Sequence, residues 1–233
     1  MILKGKSVLI TGGTGALGSV VTRKFIEAGA SVAVTCRTAD DLALFGTDLR
    51  QAIVAVPSDV SREEDVVQLF DTVIASRGAV DILVNLVGGY LPVRALRDTP
   101  LSDWHGMITL NVSTAFLCAR EYLRRRSPDG YGRIVSIAAL PAFKPTAGRG
   151  PYAVAKRGVV TLTEVLAEEL KGSGITANAV APSILRRAGQ APPPGSEEAK
   201  WVAPEDVADL IIYLCSPAGQ PVNGACIPIF GGI

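Results

Sequence analysis

The 233-residue chain predicts an α/β fold, a doubly wound parallel sheet in one domain, and three observations carry that expectation. Short apolar runs rich in Val and Ile alternate with stretches of helical periodicity along the whole length. Strands that alternate with helices pair in parallel through right-handed crossovers. A composition of 48% hydrophobic and 19% charged residues suits a single core large enough for a sheet covered on both faces. Finally, the first apolar run breaks into Gly13-x-Gly15-x-x-Gly18 and becomes a helix at once, the spacing at which such sheets turn from strand to helix.

Ser7 to Ile10 is short and apolar, as a buried parallel strand should be. Beyond Gly18, Val20, Val21, Phe25 and Ile26 recur at helical spacing, with Gly29 as the C-cap. Ser31 to Cys36 is the second strand, a short helix covers about Asp40 to Arg50, and Ile53 to Val56 is the third strand. Ser61-Arg62-Glu63-Glu64 reads as a capping box opening a helix that reaches about Arg77. Val80 to Asn85 is the fourth strand and runs into Gly88-Gly89. One long helix is expected from Leu101 to Arg126, capped by Ser102 and stopped by Pro128 and Gly130. Arg133 to Ile137 is the fifth strand, about Tyr152 to Lys171 a helix, and Thr176 to Ala181 the sixth strand. Ser183 to Lys200 contains Pro192-Pro193-Pro194-Gly195, which forbids regular structure, so this segment is expected to be a surface loop, with Pro192 to Lys200 as a short substrate lid. Pro204-Glu205-Asp206 opens a last helix to about Cys215, and Ala225 to Phe230 closes the sheet.

Charge narrows the function. A net charge of +1 offers no basic field for nucleic acid, and Arg124-Arg125-Arg126 reads as the solvated end of a helix, so the expected partner is a small molecule. No apolar run reaches about 18 residues and the N-terminus lacks a secretory pattern, so a soluble cytoplasmic protein without a membrane partner is expected. Cys36, Cys118, Cys215 and Cys226 form no C-x-x-C pair and His105 has no chelating companion, which favours buried thiols over a metal site or disulfides.

Ligands bind such a sheet outside the carboxyl ends of its strands, which selects Gly12 to Gly18, Arg37, Asp59, Asn85 to Gly89, Ala138 onward and Pro182 onward. A glycine triplet alone is also an ordinary turn. Between a strand and a helix it allows the sharp turn, the close approach of backbone to a pyrophosphate and tight helix packing, and the helix N-terminus adds free N–H groups. At the end of the second strand, where an NAD-selective site places an acid for the ribose hydroxyls, the chain has Cys36 followed by Arg37. A guanidinium there can grip a 2′-phosphate, which favours NADP(H) over NAD(H); the alternative is a solvated Arg on a turn. Tyr152-x-x-x-Lys156 puts a phenol and an ammonium on one helix face, where a cation can lower the phenol pKa. In isolation that spacing is also a chance surface pair.

Taken with these motifs, the chain resembles the short-chain dehydrogenase/reductase family, a Rossmann-fold group, over nearly its whole length. Thr11-Gly12-x-x-x-Ala16-x-Gly18 is similar to the family's cofactor loop, Asp59-Val60 to its adenine contact and Asn85-Leu86-Val87-Gly88 to its N-x-A-G motif. Asn111, Tyr152 with Lys156, Pro204-Glu205-Asp206 and Gly224 to Gly232 match further family patterns. The resemblance implies that Gly12, Thr14, Gly15, Leu17 and Gly18 hold the pyrophosphate. It implies that Asp59, Val60, Asn85, Val87 and Gly88 line the adenosine half, with Pro182 and Ile184 also on the cofactor. Tyr152 is then the proton donor, Lys156 holds the ribose and lowers the Tyr152 pKa, and Asn111 orders a water leading to Lys156. Homodimers or homotetramers built on the two long helices are also implied.

Departures from the pattern bear on the substrate. Thirteen residues before the tyrosine, where the family usually has a carbonyl-polarising serine, stands Ala139, and the substrate pocket is expected to be lined by Ala139 and Tyr152. Ser136 lies an odd number of residues away and faces the other side of an extended strand. Ser183 and Arg187 replace the usual glycine and threonine after Pro182. The leading expectation is an NADP(H)-dependent oxidoreductase acting on a conjugated or electron-poor carbonyl or quinonoid substrate. Ala139, Gly88-Gly89 and Trp201-x-x-Pro204-Glu205 are also similar to the dihydropteridine reductase branch. A nucleotide-binding sensor or scaffold with weak turnover is the alternative of another class.

Overall fold

Strand β1 (Ser7–Thr11) is buried along its whole length because it has a parallel neighbour on each side: β2 (Ser31–Cys36) and β4 (Ile82–Asn85). The computed structural model describes residues 1–126, 130–186 and 201–231. With β3 (Ile53–Pro57), β5 (Gly132–Ile137), β6 (Ile175–Pro182) and β9 (Cys226–Ile229), the sheet runs β3-β2-β1-β4-β5-β6-β9, with every pairing parallel. The chain winds outward from β1 in one direction and then jumps to β4 to wind in the other. The switch point lies between Thr11 and Asn85, which sit opposite each other.

The period-two alternation of β1 divides the core. Val8 and Ile10 join Val21 and Phe25 of α1 (Ala16–Glu27) and Val207 and Ile211 of α7 (Pro204–Cys215) on one face. Leu9 points the other way, into Val66 and Phe70 of α3 (Glu63–Arg77), with Tyr122 of α5 (Thr114–Arg125) and Leu166 of α6 (Gly150–Glu169). Each of these side chains is at most 8% exposed, so truncating Phe25 to Ala should cost roughly 3–5 kcal/mol.

The strands follow the sequence pattern within two residues, whereas several helix details differ. Residues 40–50 are not one helix: a 3-10 turn (Ala39–Leu44) and α2 (Thr47–Ala52) are separated by Phe45 and Gly46. Phe45 adopts an extended backbone and turns into the core at 2% exposure, and burial of an aromatic ring outweighs helix continuity. Ser61 does not cap α3; its hydroxyl and N–H both go to Asp59 Oδ1, at 2.7 and 3.0 Å, and α3 begins after Arg62. Ser102 lies inside α4 (Leu101–Ile108), which starts after Pro100, and a π-turn (Thr109–Ser113) joins α4 to α5. Within 183–200, Ile184–Leu185 forms strand β7, paired in parallel with β8 (Trp201–Val202), so the base of that loop is regular. Residues 187–200, with the expected lid at Pro192 to Lys200, lie outside the described residues, as does Pro128.

Candidate functional site

The carboxyl edge of β1 is built by close backbone approach. Gly12 has φ +67°, a left-handed conformation that disfavours other residues, and its N–H donates to Thr35 Oγ1 at 2.9 Å. A Cβ on Gly18 would lie 2.1 Å from Gly12 O, so only glycine lets the first turn of α1 cross the loop. At Gly15 the same atom would meet only Gly12 O, at 3.3 Å, leaving the outer side of the turn open. Helix α1 starts with no side-chain cap and no acidic residue in its first turn, so free N–H groups and the positive end of the helix dipole face that opening. These residues fit a pyrophosphate. Thr14 and Leu17 have buried side chains, and Leu17 belongs to the core, which leaves its main chain for a ligand.

Along the same edge, Cys36 is buried and Arg37 projects outward with its side chain 92% exposed, its Nε 3.9 Å from Asp41 Oδ2. Asp41 Oδ2 also accepts from the backbone N–H groups of Thr38 and Arg37, and these bonds hold its carboxyl below the usual range. Asp59 is exposed and kept ionised by its bonds from Ser61, while Val60 beside it is buried. Asn85 Nδ2 donates to Ser136 Oγ at 3.3 Å, and Asn85 Oδ1 is buried without a partner among the described residues, an acceptor left open at the end of β4. Val87 packs over Gly12, where a Cβ would meet its Cγ2 at 3.2 Å. Pro182 is buried at the end of β6 and Ile184 is 48% exposed. Arg187 lies outside the described residues.

Gly88, Asn111 and Lys156 converge from a loop, the π-turn and α6. A Cβ on Gly88 would lie 2.7 Å from Asn111 Oδ1 and 3.2 Å from Lys156 Nζ. Asn111 clamps Gly89 by accepting from its N–H at 3.2 Å and donating to its carbonyl at 3.1 Å. Asn111 Nδ2 also donates to Met107 O at 3.1 Å, the carbonyl that the residue 111 N–H takes in a regular α-helix; π-turns shift that pattern by one residue. Lys156 is buried and donates to Ile137 O at 2.8 Å, and desolvation lowers its pKa from 10.5 to about 8.

Tyr152 lies one turn before Lys156, half-buried, with Lys156 Nζ 6.0 Å from its ring centroid and the Tyr90 ring edge-on at 6.4 Å. Burial raises the Tyr152 pKa and the charge of Arg149 opposes that rise. The expected lowering by Lys156 is absent from this geometry, because the ammonium is turned to Ile137 O. Ala139 is buried in extended conformation just before the turn Leu140–Ala142, which packs on α6. Ser136 is buried on β5, where its Oγ accepts from Asn85 Nδ2 at the end of β4. Sequence reasoning missed the Ile137 carbonyl and Arg149; the spacing of Arg149 three residues before Tyr152 was the available signal for the latter. A separate cavity of about 330 Å³, lined by Lys6, Val80, Asp81, Tyr122, Arg126 and Tyr131, opens at the opposite edge of the sheet, away from these groups.

Parallel strands carrying their polar groups at one carboxyl edge, around an uncapped helix start, define a class: nucleotide-binding domains of the doubly wound type. Comparison with known proteins then makes the assignment specific. The short chain dehydrogenase family profile matches residues 6–192, and the chain belongs to that family. It is 31% identical over 235 residues to cis-4-hydroxycyclohexanecarboxylate dehydrogenase of Sinomonas cyclohexanicum, covering 96% of this chain and 94% of that one. A short chain dehydrogenase from Burkholderia cenocepacia J2315, solved in complex with NADP, superimposes with a TM-score of 0.88 at 28% identity, covering 100% of this chain and 99% of that one. A blue fluorescent protein from a metagenomic library, solved in complex with NADPH, gives the same TM-score of 0.88, identity of 28% and coverage of 100% and 99%. The chain is thus an NAD(P)-dependent oxidoreductase. Among the described residues, no helix is long and apolar enough to cross a membrane and no cluster of potential metal ligands occurs.

Proposed function

We propose that the protein uses NADP(H) to reduce a conjugated or electron-poor carbonyl or quinonoid compound, and the buried methyl of Ala139 carries this reading. When bound, the dinucleotide supplies hydride to the substrate carbon. Tyr152, a neutral phenol at pH 7, then protonates the oxygen, and the positive charge of Arg149 opposes the rise in pKa that burial imposes on it. Lys156, cationic below about pH 8, holds the ribose hydroxyls. Asn111 fixes the Gly88-Gly89 loop against Lys156 and orders the water between them. The open first turn of α1, from Gly12 to Gly18, takes the pyrophosphate, Asp59 and Asn85 take the adenosine half, and Arg37 takes the 2′-phosphate.

A hydroxyl in an oxyanion-type position contributes roughly 2–4 kcal/mol to the transition state, two to three orders of magnitude in rate. Ala139 offers none, so a substrate that disperses the incoming charge within itself is favoured over a simple ketone. The test is NADPH oxidation with quinones, quinonoid pterin, aldehydes and simple ketones for wild type and Ala139→Ser. The variant should gain about tenfold or more on an unactivated ketone and nothing on the activated substrate. Ordinary wild-type rates on simple ketones, unchanged in Ala139→Ser, would sink the proposal.

The preference for NADP(H) is supported by Cys36 where an acid would select NAD, and by the outward guanidinium of Arg37. Arg37→Ala should weaken NADPH by about 10–100-fold and NADH little, and equal losses would remove the argument. A homodimer or homotetramer in the cytoplasm completes the reading: Leu101, Phe116, Val154 and Val165 expose apolar side chains on α4, α5 and α6, the helices that would pair.

A further inference from the structure

We propose that Arg149 is an anion subsite in the substrate cleft, so that the preferred substrate carries a carboxylate close to its reacting carbonyl. The inference rests on the reading of Tyr152 as proton donor and names the chemical class that this cleft selects. Arg149 immediately precedes α6, and its carbonyl accepts the first bond of the helix, from Ala153 N–H at 2.9 Å. Arg149 stands just outside the helix, three residues before Tyr152, and its charge acts on that phenol. Both residues line a small cleft of about 20 Å³ with Leu91, Arg94, Asp103 and Met107, room for one small polar group rather than a whole substrate.

The wall that carries Arg149 is built rather than loose. Arg94 N–H donates to Gly148 O at 2.9 Å, and Gly148 has φ +76° in a place where a Cβ would lie 2.4 Å from Val93. The charges in the cleft do not balance. Arg94 is answered by Asp103 at 3.2 Å, whereas Arg149, a half-buried residue, makes no side-chain hydrogen bond or ion pair with any described residue. A forked guanidinium matches a carboxylate through two parallel N–H···O bonds. In this arrangement Tyr152 takes the reacting oxygen and Arg149, three residues before it, takes the acid group.

Calorimetric titration of the NADP⁺-loaded protein with benzoate and phenylglyoxylate, each against its neutral amide, tests the subsite without requiring turnover. Each acid should bind at least about tenfold more tightly than its amide at pH 7. Arg149→Gln should erase that preference and Arg149→Lys should keep part of it, with both variants melting near the wild-type temperature. Equal binding of acid and amide by wild type, or a preference that survives in Arg149→Gln, would overturn the proposal. NADPH oxidation with phenylglyoxylate and its amide separates the two readings: a binding preference lost in Arg149→Gln, with neither compound nor any quinone reduced, supports the subsite and refutes the proposed reductase.

Discussion

Lys156 carries an ammonium in the core at neutral pH, held by the Ile137 carbonyl, and its pKa falls from 10.5 to about 8. The unfolded chain therefore binds more protons than the folded one between about pH 8 and 10.5, so this residue's penalty on stability is full below pH 8 and fades as pH rises through that window. At about 1.4 kcal/mol per unit the penalty is a few kcal/mol, and the lost bond to Ile137 offsets about 1 kcal/mol of the gain on removal. Lys156→Met should then raise Tm at pH 7 by roughly 3–8 °C, with the gain shrinking towards pH 10 and with cofactor binding damaged; a lower Tm at pH 7 would contradict the sign. Because kcat/KM for NADPH reports the free enzyme, it should fall as pH climbs through about 8. Tyr152→Phe keeps the ring and deletes the proton, so turnover should drop by roughly two to four orders of magnitude while NADPH titration is preserved. The Tyr-x-x-x-Lys spacing made the shared face legible in the sequence. It said nothing of depth, and depth decides the electrostatics here: burial raises the Tyr152 pKa where spacing alone suggested a lowering by Lys156.

Among the elements, the π-turn at Thr109–Ser113 does most to position the site, since it brings Asn111 onto both polar groups of Gly89. Replacing Asn111 by Leu removes those two part-buried bonds and the buried one to Met107 O, whose loss alone costs about 1–3 kcal/mol. Asn111→Leu should lower kcat/KM at least about tenfold and speed amide exchange at Gly89, and unchanged exchange would show that the loop holds itself. None of this was visible in the sequence, where 101–126 has the periodicity of one uninterrupted helix. A π-turn shifts partners by one residue and leaves no mark in composition. Strands were legible nearly to the residue because each is a short apolar run between turn signals, as Ser31–Cys36 illustrates. Caps were less so, because Ser61 and Ser102 have the right chemistry at the wrong place: the hydroxyl of Ser61 is taken by Asp59 and Ser102 sits past the helix start.

For the molecule as a whole, the alternating pattern foretold the doubly wound sheet, but not which groups would anchor its opposite edge. Arg133 is 1% exposed, bonded to the carbonyls of Gly132 and Gly174 and to Gln220, and stacked 4.2 Å from the Tyr131 ring centroid. It ties β5 to the turns before β6 and after α7, so Arg133→Ala should cost roughly 3–5 kcal/mol by denaturant unfolding through a large cavity and unpaired acceptors. Phe116→Asp and Val165→Asp, both on exposed positions, should leave the melting temperature near wild type and yield a smaller particle by light scattering; an unchanged mass would place any interface elsewhere. The order of the sheet also sets a clock. The interior strand β1 is made before any other strand of the sheet, yet one of its neighbours, β4, begins at Ile82, with Leu86 closing onto Thr11 from a sequence separation of 75 residues. At about 5–20 residues per second, an apolar edge with no charged side chain stays unpaired for roughly 4–15 s in every round of synthesis. A growing chain thus passes through a long window in which that edge is open to the wrong partner, and yield on expression should depend on translation speed and chaperone supply more than on the stability of the finished fold.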